Sequence, residues 1–127
     1  MEPITEDEWP SLLEDNHIVV AAFFEAGQPD CEKMEKILDR EFYPGLKDFD
    51  DTVLVKISVK DNSDIAATYE VESVPTLMIF HHGEEVKHLL PAPDPKSPKV
   101  DRIMKPFKGM GKELLDLVLD LHDPAKL

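Results

Sequence analysis

The residue best equipped for nucleophilic or redox chemistry occurs once, as Cys31, within the stretch EAGQPDCEKM at residues 25–34. Pro29 suits the first position of a helix, where a missing N–H costs nothing. Cys31 therefore belongs to a first helical turn, whose dipole favours a thiolate by about 0.3–1 kcal/mol. Asp30 and Glu32 oppose this, because neighbouring negative charge raises a thiol pKa. Two readings follow. Cys31 is either a packed, inert cysteine behaving as a small hydrophobe, or a slow thiol open to glutathionylation or regulatory modification. One cysteine cannot close an internal disulfide, which predicts a reducing compartment, cytoplasmic or nuclear.

The histidines carry less. His17 precedes an apolar run, His81 and His82 fall at a strand end and turn, and His88 lies on the following strand. None has metal-ligand spacing to Cys31 or forms a Cys/His cluster, so they read as separate surface or strand-end residues with no metal. No cofactor motif is expected.

Charge excludes some partners. The net charge of −13 argues against general affinity for nucleic acid or anionic membranes. Residues 91–112 run against this trend, with six Lys/Arg against Asp94 and Asp101 and a local +4. That stretch is also Pro-rich, and alternates Ile103, Met104, Phe107 and Met110 with Arg102, Lys105 and Lys108. The bland reading is a solvated loop. The functional reading is a surface for an acidic partner. The acidic start, MEPITEDEWP, shows no signal-peptide pattern, and the longest apolar run, IVVAAFF, is far too short to span a membrane.

The elements that must position these residues follow from periodicity. Thr5 and Glu8 stand at capping-box spacing before a helix carrying Trp9, Leu12 and Leu13. HIVVAAFF predicts a strand buried on both faces. Cys31, Met34, Leu38 and Phe42 recur at helical steps, and that helix should end or bend near YPG. TVLVKISV predicts a second buried strand, and NSDIAATYEV a short helix with Ile65, Ala66 and Tyr69 inward. TLMIFHHGEEVKHLL predicts two strands joined at His82-Gly83. Leu114, Leu115, Val118 and Leu121 share one face of a last helix. The order α-β-α-β-α-β-β-α implies an α/β fold with a mixed sheet.

This order, with a helix-starting cysteine after the first core strand, resembles the thioredoxin family. VKDNSDIAATYEVESVPTLMIFHHGE is similar to the second half of a thioredoxin without gaps, with VPT where the family places its cis-proline. FFEAGQPDCEKMEKILD follows the family's strand, active-site loop and second helix. The resemblance covers about residues 1–91 and 110–125. It implies a thioredoxin-like fold in a single domain, 1–127, with helices on both faces of the sheet and residues 92–110 inserted before the last helix. The lone second cysteine is also similar to the loop of spliceosomal thioredoxin-like proteins (Pro29, Cys31, Lys33, Met34) and to the N-terminal domains of multidomain monothiol glutaredoxins.

The family's chemistry needs Cys-x-x-Cys, in which the first thiolate attacks a substrate disulfide and the second resolves the mixed disulfide. By the resemblance, the attacking cysteine is Gln28 and only the resolving position, Cys31, is kept. The family's tryptophan before the motif falls at Gly27, its buried aspartate at Ala22 and the lysine after the motif at Glu32. Lys56 stands where the family has its buried lysine. The resemblance thus implies a redox-inactive protein that binds partner proteins through Gln28, Pro29, Asp30 and Cys31, through Val74 and Pro75, and through the insert with Arg102, Lys105 and Phe107. Val74 would offer its backbone to a bound strand. The plainer role for Pro75 is to end a loop. Two alternatives stand beside this reading: a monothiol redox or thiol-sensing protein using Cys31, and a structural subunit of a larger assembly.

Overall fold

A computed structural model describes residues 2–71, 74–90, 102–103 and 110–122. Its elements are β1 (Glu2–Pro3), α1 (Trp9–Asp15), β2 (Ile18–Phe24), α2 (Pro29–Ile37), β3 (Thr52–Ser58), α3 (Ser63–Thr68), β4 (Thr76–His81), β5 (Glu84–Leu90), β6 (Arg102–Ile103) and α4 (Met110–His122). They form a six-stranded sheet in the order β1-β3-β2-β4-β5-β6. β2 runs parallel to β3 and antiparallel to β4, and β4 pairs antiparallel with β5. The sheet is therefore mixed, as expected. The two-residue edge strands β1 and β6 were not foreseen. β1 pairs with Val55 and Lys56, and β6 pairs parallel with Leu89 and Leu90. Arg102 thus lies on a sheet edge, and most of the remaining 92–110 insert, with Lys105 and Phe107, lies outside the described residues.

β2 is buried along its whole length because it divides two cores. Ile18, Val20, Ala22 and Phe24 face one, with Cys31, Met34, Leu38 and Phe42 of the α2 side and Leu114 and Val118 of α4. Val19, Ala21 and Phe23 face the other, with Trp9 of α1 and Ile65 of α3. The two-residue alternation of a strand thus places helices on both faces. On the second face Trp9 Nε1 donates to the Tyr69 hydroxyl at 3.2 Å, and Trp9 packs edge-on against Tyr69 and Phe80.

The helix after Cys31 departs from expectation in an instructive way. α2 ends at Ile37 but widens into a π turn over Leu38–Phe42 and then tightens into a 3-10 helix over Tyr43–Asp48. The change in winding keeps Cys31, Met34, Leu38 and Phe42 all buried on one face. Pro44 does not stop the chain, because it sits in the first turn of the 3-10 segment, where it breaks no bond. Gly45 lies beneath the side chain of Leu115. A Cβ there would lie 2.7 Å from Leu115 Cδ2, so the Leu115 side chain would have to shift to admit one.

At the N-terminus the Thr5 hydroxyl donates to Glu8 Oε1 at 3.0 Å, and the Thr5 N–H to the same atom at 3.3 Å. These bonds close a turn ahead of α1, which itself begins only at Trp9. The β4–β5 hairpin turns at His82 and Gly83, both with positive φ (52° and 82°), the pattern of a type I′ turn. Among the described residues no helix is long and apolar enough to cross a membrane.

Candidate functional site

β2 ends at Phe24 and delivers the chain into a loop whose reversal uses Gly27 at φ 84°. Gln28 is the N-cap of α2 in extended conformation, and Pro29 opens the helix. Gln28, Pro29 and Asp30 are exposed. The Gln28 side-chain amide donates to Glu25 Oε2 at 3.5 Å, a long contact on an open surface.

Cys31 lies on the inward side of this turn, only 3% exposed, and packs in the same core cluster as Met34, Leu38 and Phe42. Burial pushes its thiol pKa up, and the charges of Glu25, Asp30 and Glu32 push in the same direction. A hydrogen bond with the Glu25 backbone works the other way without reversing the outcome. The position therefore favours a protonated thiol, although it opens a helix.

Lys56 lies on the neighbouring strand. In register, Lys56 on β3 stands opposite Ala22 on β2, a residue that offers it no acid. Its ammonium instead reaches Glu35 Oε1 on α2 at 2.8 Å, with both side chains about one-third exposed. A pair this exposed contributes about 0.2–1 kcal/mol.

A cleft of about 820 Å³ opens on this side of α2. The N-terminal segment Pro3–Asp7 forms one wall, and Phe24, Gly27, Cys31, Lys56 and Ser58 help line the rest. Among the described residues, six carboxylates border it (Glu6, Asp7, Glu25, Glu32, Glu35 and Asp61) against the ammonium of Lys56. Sequence reasoning missed this cleft. The only available signal was the acidity of residues 2–8, which acquires a location once β1 pairs with β3.

The Val74–Pro75 peptide bond is cis. Pro75 is buried and Val74 half-buried, and Val74 packs against the cluster that contains Cys31. The structure thus joins Val74 to the Gln28–Cys31 loop through one core, whereas neither Val74 nor Pro75 borders the acidic cleft. Arg102 is placed by its backbone alone, beside Leu89 on the far edge of the sheet. The histidines, read from sequence as surface or strand-end residues without metal-ligand spacing, come together in space: His17, His81 and His82 converge at the opposite end of β2, with one nitrogen of each within 4.8 Å of the others.

A mixed sheet flanked by two helical layers, with a helix opening on the residue after an extended N-cap, defines the thioredoxin class of fold. Residues 1–97 match the family model described as Thioredoxin, and the chain belongs to the thioredoxin family. It is 38% identical to the thioredoxin of Mycoplasma genitalium over 43% of this chain and 54% of that one, so that match spans about half the relative's length. It is 32% identical to the thioredoxin of Pyropia yezoensis over 64% of this chain and 73% of that one. Among solved structures, a mutant thioredoxin from Halobacterium salinarum superposes with a TM-score of 0.68 at 25% identity, covering 96% of this chain and 92% of that one. Human ERp44 superposes with a TM-score of 0.71 at 16% identity, over 96% of this chain and 33% of that one, a likeness of fold alone.

Proposed function

We propose that this chain is a thioredoxin-family protein without disulfide-reductase activity, working by binding a partner protein beside its former active-site loop. By the family resemblance Gln28 falls at the position of the attacking thiol, and one observation carries the reading: Cys31 is buried with its pKa raised. An amide cannot attack a disulfide, and a thiol that stays protonated is neither a good nucleophile nor readily reached. The relatives named thioredoxin argue for ancestry in redox chemistry, and the substitutions at Gln28, Gly27 and Ala22 argue that the fold outlived it.

The binding surface in this reading combines the exposed Gln28, Pro29 and Asp30 with Val74, to which Arg102, Lys105 and Phe107 of the insert would add basic and apolar contacts. An extended partner segment would lie along the Val74 backbone, and the insert would favour acidic residues in it. The test has two parts. Reduction of a protein disulfide by dithiothreitol should not be accelerated by the chain, and turnover above the dithiothreitol background would refute the proposal. Partners captured from a lysate by the wild-type chain should be lost from a Val74→Asp, Phe107→Ala variant that keeps its folding transition. Unchanged capture would instead favour the role of structural subunit.

A further inference from the structure

The start of β2 and the β4–β5 turn bring together three imidazoles that lie far from the Cys31 loop. β2 and β4 pair with Ile18 opposite His81, and the His82 N–H donates to the His17 carbonyl at 2.9 Å. Successive residues of a strand point to opposite faces. His82 escapes that rule because its φ of 52° is left-handed, so its ring meets both others. Ring centroids are 4.6 Å apart for His17 and His81, 4.0 Å for His17 and His82, and 4.3 Å for His81 and His82. His17 and His81 are half-buried, and His82 is exposed.

We propose that His17, His81 and His82 form a transition-metal site that takes Zn²⁺ through three imidazole nitrogens and leaves a fourth position to water. Imidazole suits zinc, and three histidines plus an open position is an established zinc coordination pattern. At Zn–N distances of about 2.0–2.1 Å, tetrahedral geometry separates ligand nitrogens by about 3.3 Å. The Nε2 atoms of His17 and His81 are 2.9 Å apart, so they need to part by only about 0.4 Å to admit the ion. The third nitrogen, within 4.8 Å, belongs to the exposed ring, which is the one freest to turn inward. The overall charge of −13 favours a dication. Seven residues of β2 separate this site from the loop that carries Cys31, roughly 23 Å at the rise of a strand. The proposal is thus independent of what that loop does.

The probe is Zn²⁺ alone, titrated by calorimetry into the full chain with excess Mg²⁺ present to occupy diffuse acidic sites. One zinc should bind per chain and raise the melting temperature, because the ion ties the start of β2 to the β4–β5 turn. His17→Gln and His82→Asn should each weaken binding by about tenfold or more, and Cys31→Ser should leave it unchanged. Asparagine tolerates positive φ, so the second variant removes the ring and keeps the turn, and its melting temperature without zinc reports that the fold survives. Absence of stoichiometric zinc uptake by the wild-type chain would overturn the proposal, leaving a ring cluster held by its own N–H···N bond. Uptake that persists undiminished in both histidine variants, or disappears with Cys31, would overturn it equally.

Discussion

The reactivity of Cys31 offers the sharpest test of the argument, because the same atom serves as its own reference when the chain unfolds. An unperturbed thiol with a pKa of about 8.5 is about 3% ionised at pH 7, and each unit of upward shift cuts that fraction about tenfold. Burial and the charges of Glu25, Asp30 and Glu32 all move Cys31 in that direction. Access compounds the effect: although Cys31 borders the cleft, it is only 3% exposed, so local opening of the α2 start speeds the approach of iodoacetamide. Alkylation of the native chain at pH 7 should therefore be at least about tenfold slower than in urea, with its inflection displaced to higher pH.

The same shift predicts a pH-dependent stability whose sign is fixed. Folded Cys31 holds its proton to a higher pH than the unfolded thiol does. Its contribution is therefore complete below the unfolded pKa of about 8.5 and is lost as pH rises from there through the folded value. Within that window it removes about 1.36 kcal/mol per pH unit. Urea melts at about pH 7 and about pH 9.5 should show a steeper loss in wild type than in Cys31→Ala. A native alkylation rate above that of the unfolded chain, or an inflection below it, would refute the reasoning and return Cys31 to the list of reactive thiols.

Three further outcomes are expected. Gln28→Cys restores Cys-x-x-Cys spacing, yet its dithiothreitol-driven reductase rate should stay well below that of an ordinary thioredoxin, because Glu25, Asp30 and Glu32 still face the motif; a rate equal to it would show that only the nucleophile was missing. Gly83→Ala meets no atom within 4 Å but must hold φ 82°, so a urea melt should show a loss of about 1–2 kcal/mol from backbone strain alone. Gly45→Ala requires the end of the Leu115 side chain to move aside, so a urea melt should change by no more than about 1 kcal/mol, and a Gly45→Ala, Leu115→Ala double variant should depart from additivity if that contact sets the change.

The legible parts of the molecule were those governed by short-range periodicity. The unbroken apolar run of β2 announced a strand between two cores, and His82-Gly83 announced a turn because few residue pairs tolerate two positive φ values. Steps of three and four residues identified Cys31, Met34, Leu38 and Phe42 as one buried face, although nothing in the spacing could show that the helix changes winding to keep them there. What stayed hidden depends on partners distant in sequence. β1 and β6 are two residues each, too short for any pattern, and exist only because β3 and β5 offer open edges. The acidic cleft needed β1 to bring Glu6 and Asp7 beside Glu25 and Glu32. The histidine cluster needed the pairing of residues 64 apart, together with a left-handed residue that defeats strand alternation.

These features explain how the fold is held together around its single cysteine. The core on the α2 face uses Cys31 as apolar volume beside Met34, Leu38 and Phe42, a use that is indifferent to whether the thiol reacts. Of the acids that oppose a thiolate at Cys31, Asp30 and Glu32 are exposed and Glu25 is half-buried, so solvation limits their cost to folding. Lys56, with Ala22 opposite it, remains paired because Glu35 lies within reach across the sheet–helix boundary. The exposed residues of the loop and the buried Cys31 thus answer to different demands, and under the proposed binding role the loop can vary its surface groups while β2, buried on both faces, holds its geometry.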